Sequence, residues 1–231
     1  MPRIGWLSWP RVCVVCGRYT RASVDCCPDC EASLPTIDQA CQRCARPLSQ
    51  PQRLCDRCIM ALPAFDAAWA AFRWEGVIAK LLDRFKNRAD LSAGRVLAAL
   101  MARQWLAQER RAPDILVPIP MHWTRFWVRG FQPTHRLTQD LSRDIGGMSW
   151  RSALRLRHRV PPQSSSNPDA RWVDTHNAFA LRSTPHDLDG VSVALIDDVM
   201  VSGATAHAAA RVLKDHGAKS VTVWLVARGG G

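Results

Sequence analysis

The stretch "VALIDDVMVSGATA", residues 193–206, joins an apolar run to two adjacent aspartates, a short loop and a set of small residues. Residues 191–196 read as a buried strand, and 204–216 carry a helical pattern that Gly217 stops. A further apolar strand follows over 220–227. Strands rich in Val, Ile and Leu that alternate with helices indicate a parallel sheet covered on both faces. Ligands of such sheets bind at the carboxyl ends of the strands. Asp197 and Asp198 fall at one of these ends. Like charges repel, and neither is cheaply buried alone, so the pair must face water or hold something positive or hydroxyl-rich.

The loop after the acids, Val201, Ser202, Gly203, Ala204 and Thr205, opens directly into the helix. Free backbone N–H groups at a helix start attract an anion, Gly203 allows close approach, and the Ser202 and Thr205 hydroxyls add donors. This pattern is half of a sugar-phosphate site, with the two carboxylates placed to accept from ribose hydroxyls or to lie near a divalent cation. A plainer reading makes Ser202 a helix cap and the acids solvated turn residues. The chain contains neither GxxxxGK[ST] nor GxGxxG, which argues against P-loop ATPase and Rossmann sites.

Working back from this stretch, "AAWAAFRW" (67–74) reads as a strand. Ile78, Leu81, Leu82 and Phe85 then recur at helical spacing, and so do Leu97, Leu100, Met101 and Trp105. "DILVPIP" (114–120) is a short buried strand stopped by prolines. A polar loop leads to a helix through Leu137, Leu141 and Ile145 that closes near Gly146 and Gly147. "ALRL" (153–156) and "AFAL" (178–181) read as strands flanking a loop rich in Pro, Ser and Arg. On the last helix Thr205, Ala208, Ala209, Val212 and Leu213 form the expected apolar face. Pro63, within 60–66, marks the expected boundary between a module at 1–62 and an α/β domain at 66–231.

The first module is built on cysteine. Eight of the nine cysteines form CxxC pairs at Cys13/Cys16, Cys27/Cys30, Cys41/Cys44 and Cys55/Cys58, with successive pairs 14 residues apart. Tetrahedral zinc takes two such turns per ion, so four turns provide two structural sites whose all-thiolate shells leave no catalytic position open. Redox CxxC motifs come singly, and disulfides suit secreted chains. The spacing leaves open which pairs share an ion, and neighbouring pairs are the simplest arrangement. Cys26 breaks the ruler as a spare or alternate ligand. Residues 1–60 have few large apolar side chains, so metal binding must supply much of their folding free energy.

The formal charge is +11, and from Arg103 to Arg171 twelve arginines face five acids. That excess favours polyanionic ligands, arginine being suited to bidentate phosphate contacts. No apolar run approaches the roughly 20 residues a membrane span requires. Arg11 interrupts any leader-like apolar region, and a cytoplasmic protein is expected.

"VALIDDVMVSGAT" resembles the phosphoribosyl pyrophosphate binding motif of type I phosphoribosyltransferases. Four CxxC pairs, then "LVPIP", "RGF" and this motif, resemble across the whole chain the ComF family, competence-associated phosphoribosyltransferase-like proteins with a zinc-bearing module, which include GntX-type members. The resemblance implies a type I phosphoribosyltransferase-like parallel sheet behind a double zinc ribbon. It further implies that Asp197 and Asp198 bind ribose hydroxyls, that Val201 to Thr205 cradle the 5′-phosphate, and that Lys86, Arg125, Arg129 and Gly130 face the pyrophosphate with Mg2+. Residues 156–172 correspond to a lid in which Arg157, Arg159 and Arg171 close over phosphates, or to a solvated loop. Two departures stand out: Val201 replaces the usual Thr, and "RGFQP" replaces "RGFNQ", so Gln132 takes over the polar position after Phe131. No residue announces the nucleophile, and turnover is left open.

A second class of function uses the same charge. "HWTRFWVRGF" (122–131) interleaves Trp123, Phe126, Trp127 and Phe131 with Arg125 and Arg129, the composition of a surface on which bases stack while arginines follow phosphates. The alternative is that these aromatics pack the loop against the core, favoured for Trp127 and Phe131. Partners on this reading are single-stranded DNA and proteins of the competence machinery, with the nucleotide site regulatory or vestigial.

Overall fold

The computed structural model describes residues 11–109, 111–157, 178–182 and 188–230. The cysteine-rich segment carries only short elements: the hairpin β1 (Arg11–Val12) and β2 (Tyr19–Thr20), then helices α1 (Pro28–Ala32) and α2 (Asp56–Met60). Its two halves repeat. Cys13 N–H donates to Arg18 O and Cys41 N–H to Arg46 O, both at 2.8 Å, and Gly17 and Ala45 N–H close the CxxC turns at 2.8 Å onto Cys13 O and Cys41 O. Gly17 has φ 77° and Ala45 φ 56°, so the second half places a Cβ in the left-handed region that the first half gives to glycine.

The remainder begins with β3 (Ala67–Arg73), α3 (Gly76–Asn87), α4 (Leu91–Leu106) and β4 (Ile115–Pro118). Then come α5 (Trp123–Arg129), α6 (Pro133–Ile145), β5 (Met148–Ser149), β6 (Leu154–Leu156) and β7 (Phe179–Leu181). The chain finishes through β8 (Ser192–Met200), α7 (Ala204–Asp215) and β9 (Ser220–Arg228). Five strands form a parallel sheet in the order β3-β9-β8-β4-β5, and β6 and β7 pair antiparallel apart from it. The expected parallel α/β sheet behind a cysteine-rich module is therefore present.

Both sheet faces are covered. Alternation along β8 sends Val193 and Leu195 into one core with Ala206, Ala209 and Leu213 of α7, and Ala194 and Ile196 into the other with α3, α4 and α6. Ile78, Leu81, Leu82 and Phe85 are all buried on α3, and Leu97, Leu100, Met101 and Trp105 on α4, as their spacing predicts. Gly94 of α4 lies against the Phe85 ring, where a Cβ would collide with it. The four cysteines from Cys41 to Cys58 belong to the α7 core, while Cys26 and Leu34 join the α3–α4 core. Cys26 lies outside both metal-capable groups; its thiol is fully buried in the α3–α4 core and pushed up to about 12, chiefly by burial.

Three differences between sequence and structure bear on β8, α5 and α7. β8 runs on to Met200 rather than ending at residue 196, because β9 continues alongside it, pairing Asp197 with Leu225 and Met200 with Arg228. The polar loop before α6 contains α5, hidden from periodicity because none of its residues is buried. On α7 Thr205 is exposed, while Ala204, Ala206, Ala208, Ala209, Ala210 and Leu213 are buried. That burial is broader than one stripe because the second cysteine module packs in the same core as the helix.

Candidate functional site

The site begins where β4 stops. β4 pairs with β8 only as far as Pro118 opposite Ile196, and Ile119 N–H makes a last bond of 3.0 Å to Ile196 O. Beyond Ile196 the edge of β8 that faced β4 is no longer paired with it, and this overhang carries Asp197 and Asp198. The chain leaves β4 through α6 toward β5 and leaves β8 through α7 toward β9, in opposite directions and on opposite faces. The gap between β4 and β8 is thus the switch point of the sheet, where open α/β sheets bind ligands.

Alternation also answers the question posed by two neighbouring acids. Successive side chains of a strand point to opposite faces, and Asp198 turns toward α3, where its Oδ2 lies 3.0 Å from Lys86 Nζ. Asp197 projects to the face of α7. Its carboxyl is raised to about 7, by burial first and then by the charge of Asp198, against the lowering effects of the Asp198 amide and Lys86. Asp197 Oδ1 accepts from Asp198 N–H at 2.9 Å, and Asp198 Oδ1 from Val199 N–H at 2.6 Å. Among the described residues Asp197 Oδ2 accepts no hydrogen bond.

Gly203 turns the chain from β8 into α7 with φ 85°, a conformation that disfavours any side chain there. Ser202 Oγ accepts from Ala204 N–H at 3.3 Å, a local turn contact, while the N-cap of α7 is Gly203 and has no side-chain cap, so the plainer reading of Ser202 as the cap is not what the structure has. Among the described residues the amides of Ser202, Gly203, Thr205 and Ala206 donate to no acceptor outside the helix. Val201 and Thr205 are exposed, Ser202 is partly exposed, and Gly203 and Ala204 are buried. Carboxylates, exposed hydroxyls and a glycine turn at a helix start therefore lie within one loop of each other.

The basic residues expected at the pyrophosphate divide. Lys86 is in the site on Asp198, and Arg129 reaches the neighbouring Asn87, with Nη2 3.4 Å from its Oδ1. Arg125 is exposed on α5 and forms no ion pair among the described residues. Gly130 closes α5 in the left-handed conformation with its N–H on Phe126 O at 2.7 Å. Arg157 is exposed, and Arg159 and Arg171 lie outside the described residues.

The two hands of the aromatic segment also separate. Phe131 packs on Phe85 with ring centroids 5.4 Å apart, as the packing alternative has it. Trp127 does not pack: it is 76% exposed, and Trp123 and Val128 beside it are exposed too. Sequence reading passed over a neighbouring cleft of about 270 Å³ lined by His135, Arg151, Arg155, Arg157 and Arg182, with Trp123 at its margin. Its arginines come from separated segments around β6 and β7: Arg157 was an expected lid residue, Arg151 and Arg155 fall within the regional charge excess, and Arg182 lies beyond it. Burial, followed by the nearby charge of Arg151, lowers the pKa of His135.

The cysteines pair as neighbours. Cys13, Cys16, Cys27 and Cys30 bring their sulfurs within 4.8 Å of one another, and so do Cys41, Cys44, Cys55 and Cys58. The donor set fits zinc: two thiolates at about 2.3 Å on a tetrahedron are about 3.8 Å apart, and Cys16–Cys27 and Cys44–Cys55 are separated by 3.8 and 3.6 Å. Cys27 N–H and Cys55 N–H each donate to the first sulfur of their own site at 3.3 Å. Burial works against ionisation of Cys13 and Cys41, but such amide donors outweigh it and lower them to about 6 and about 7.

A family model described as a double zinc ribbon domain matches residues 6–59. Competence protein F of Haemophilus influenzae is 26% identical over 223 residues, covering 94% of this chain and 96% of that protein. This chain is thus similar to that competence protein along nearly the whole length of both. DNA utilization protein YhgH of Salmonella typhimurium is 28% identical to this chain over 229 residues, covering 96% of this chain and 92% of that protein. Among solved structures, a hypoxanthine phosphoribosyltransferase from Staphylococcus aureus aligns with a TM-score of 0.37 at 11% identity, over 57% of this chain and 61% of that one. Among the described residues no helix is long and apolar enough to cross a membrane.

Proposed function

We propose that this protein binds phosphoribosyl pyrophosphate at the switch point and acts as a phosphoribosyltransferase-like protein in the handling of DNA during uptake. One observation carries the reading: the overhanging end of β8 presents Asp197 and Asp198 beside the Gly203 turn, with Lys86 already drawn onto Asp198. The amides from Ser202 to Ala206 would receive the 5′-phosphate, and Asp197 would accept from ribose hydroxyls. Lys86 would move from Asp198 to the pyrophosphate, which brings both charges it needs, with Arg129 able to follow from the same side. Mg2+ fits the hard oxygen donors of the two acids and, when bound with the ligand, would offset the charge of the pyrophosphate.

The deciding experiment is calorimetric titration of the protein with phosphoribosyl pyrophosphate and Mg2+, beside the Asp197→Asn/Asp198→Asn variant. Saturable binding by the wild type that the double variant loses is expected; absence of binding by the wild type would remove the reading. Pyrophosphate release across a panel of nitrogenous acceptors then tests for turnover.

A second reading rests on a different surface. The exposed rings of Trp123 and Trp127, with Arg125 between them and the arginine-lined cleft beyond, form a face suited to single-stranded DNA. The names of the relatives support a role around DNA, in which the two surfaces would serve one process.

A further inference from the structure

Arg228, the last residue of β9, is 2% exposed, yet it carries a guanidinium into the core. Its Nε donates to Cys44 O at 2.9 Å, and its Nη1 donates to Met200 O at 2.7 Å, to Val201 O at 2.9 Å and to Gly229 O. One buried side chain thus ties the first CxxC turn of the Cys41–Cys58 site to the carbonyls that begin the loop after β8. Two further bonds join the same parts. Arg57, between Cys55 and Cys58, reaches Ser202 O at 3.4 Å, and Ala64 N–H donates to His207 Nδ1 on α7 at 3.0 Å. The other cysteine site is attached elsewhere, through Arg103 of α4 to Glu31 at 2.6 Å and to Ser23 at 3.0 Å.

We propose that the Cys41–Cys44–Cys55–Cys58 metal site positions the phosphate loop through Arg228, so that metal at this site and ligand at the loop are thermodynamically linked. The inference rests on the reading of residues 201–205 as a phosphate loop. The physical basis is charge as well as geometry. Zinc with four thiolates carries a net charge of about −2, and this is the anion beside which the buried guanidinium sits. Removal of the metal frees the turn that carries Cys44 O, and a buried guanidinium that loses an acceptor is costly. Arg228 must then move or draw in water, and either releases Met200 O and Val201 O. Linkage is reciprocal, so ligand that orders the loop must also hold the metal more tightly. Arg228 is a positioning residue and touches no ligand itself.

Hydrogen exchange of residues 200–206, followed by mass spectrometry on the full zinc-loaded chain, tests this without any ligand. Arg228→Met is expected to speed exchange there at least fivefold. Arg103→Met, which loosens the first site instead, is expected to leave it within twofold. Exchange in Arg228→Met equal to that of the wild type overturns the proposal. Should that variant fail to fold, the wild type alone suffices: phosphoribosyl pyrophosphate with Mg2+ is expected to slow transfer of one of two zinc ions to a colorimetric chelator at least fivefold. Release of both ions at rates that bound ligand leaves unchanged overturns the linkage. Fast exchange in Arg228→Met together with no ligand binding by the wild type would instead reject the assigned ligand and keep the mechanical coupling.

Discussion

Lys86 Nζ and Asp198 Oδ2 lie 3.0 Å apart, with side-chain exposures of 23% and 13%. This ion pair closes α3 onto the open end of β8 and places a cation where an anionic ligand would arrive. Removing one partner of so sheltered a pair leaves the other charge poorly compensated. Lys86→Met is expected to cost about 1–3 kcal/mol of stability in urea denaturation. It is also expected to weaken phosphoribosyl pyrophosphate binding by about tenfold or more, since one charge-assisted contact contributes about 1.5–3 kcal/mol. Unchanged affinity would show that Lys86 serves Asp198 alone.

Asp197, raised to about 7 by burial and by Asp198, makes both stability and binding depend on pH. An acid whose folded pKa exceeds its unfolded value binds more protons when folded, so its contribution to stability is fully present below about pH 4 and lost as pH rises through about 7. Asp197→Asn is therefore expected to stabilise the ligand-free protein above pH 7, by about 1–3 kcal/mol in denaturant titrations at pH 8. Ligand binding runs the other way. If the carboxylate accepts from ribose hydroxyls or lies near Mg2+, affinity must fall below pH 7 and binding must release a proton, which calorimetry in buffers of different ionisation enthalpy detects.

Metal analysis is expected to give two zinc ions per chain, one for each four-cysteine group. The sites should differ in lability. All four cysteines of the second site are buried, whereas Cys16 of the first is exposed, so a chelator is expected to take the first ion several-fold faster. Cys41→Ser should disturb the α7 core and lower the melting temperature more than Cys16→Ser does. Release of both ions at one rate would contradict the asymmetry.

Trp127 and Phe131 predict opposite responses to truncation. Trp127→Ala, at an exposed position, is expected to change stability by less than about 0.5 kcal/mol, while Phe131→Ala, packed on Phe85, costs about 2 kcal/mol or more. Binding of a fluorescent single-stranded oligonucleotide should weaken in Trp127→Ala, and in Arg125→Ala with a shallower salt dependence. An oligonucleotide affinity that neither change moves would retire the α5 surface.

Ala45, at φ 56° where the first repeat has Gly17, offers a stabilising change. Ala45→Gly relieves about 1 kcal/mol of left-handed strain, less a part returned as chain entropy. A small rise in melting temperature of the zinc-loaded protein is expected, and a fall would mean that the Ala45 methyl, buried beside Cys44, contributes more by packing.

Much of the fold was legible because it rests on local periodicity. The α3 and α4 stripes, β3, β4, β6, β7 and β9 all follow patterns of apolar residues that burial alone enforces. The 14-residue cysteine ruler was equally plain, since ligand spacing is a property of the chain. α5 escaped because an exposed helix has no buried stripe to reveal it, and the end of β8 was misjudged because charge was read as the end of pairing.

From the residues alone came the parallel sheet, the two four-thiolate sites and the position of paired acids before a glycine turn, for these depend on spacing along the chain and on the chemistry of each side chain. Tertiary structure decided that the acids point apart, that Lys86 meets Asp198, that arginines around β6 and β7 gather into one cleft, and that Arg228 joins Cys44 to the loop after β8. The last three relationships span tens to more than a hundred residues of sequence. They exist only because covering both faces of the sheet brings distant segments to the same end of it, and no local pattern records which cation will meet which anion there.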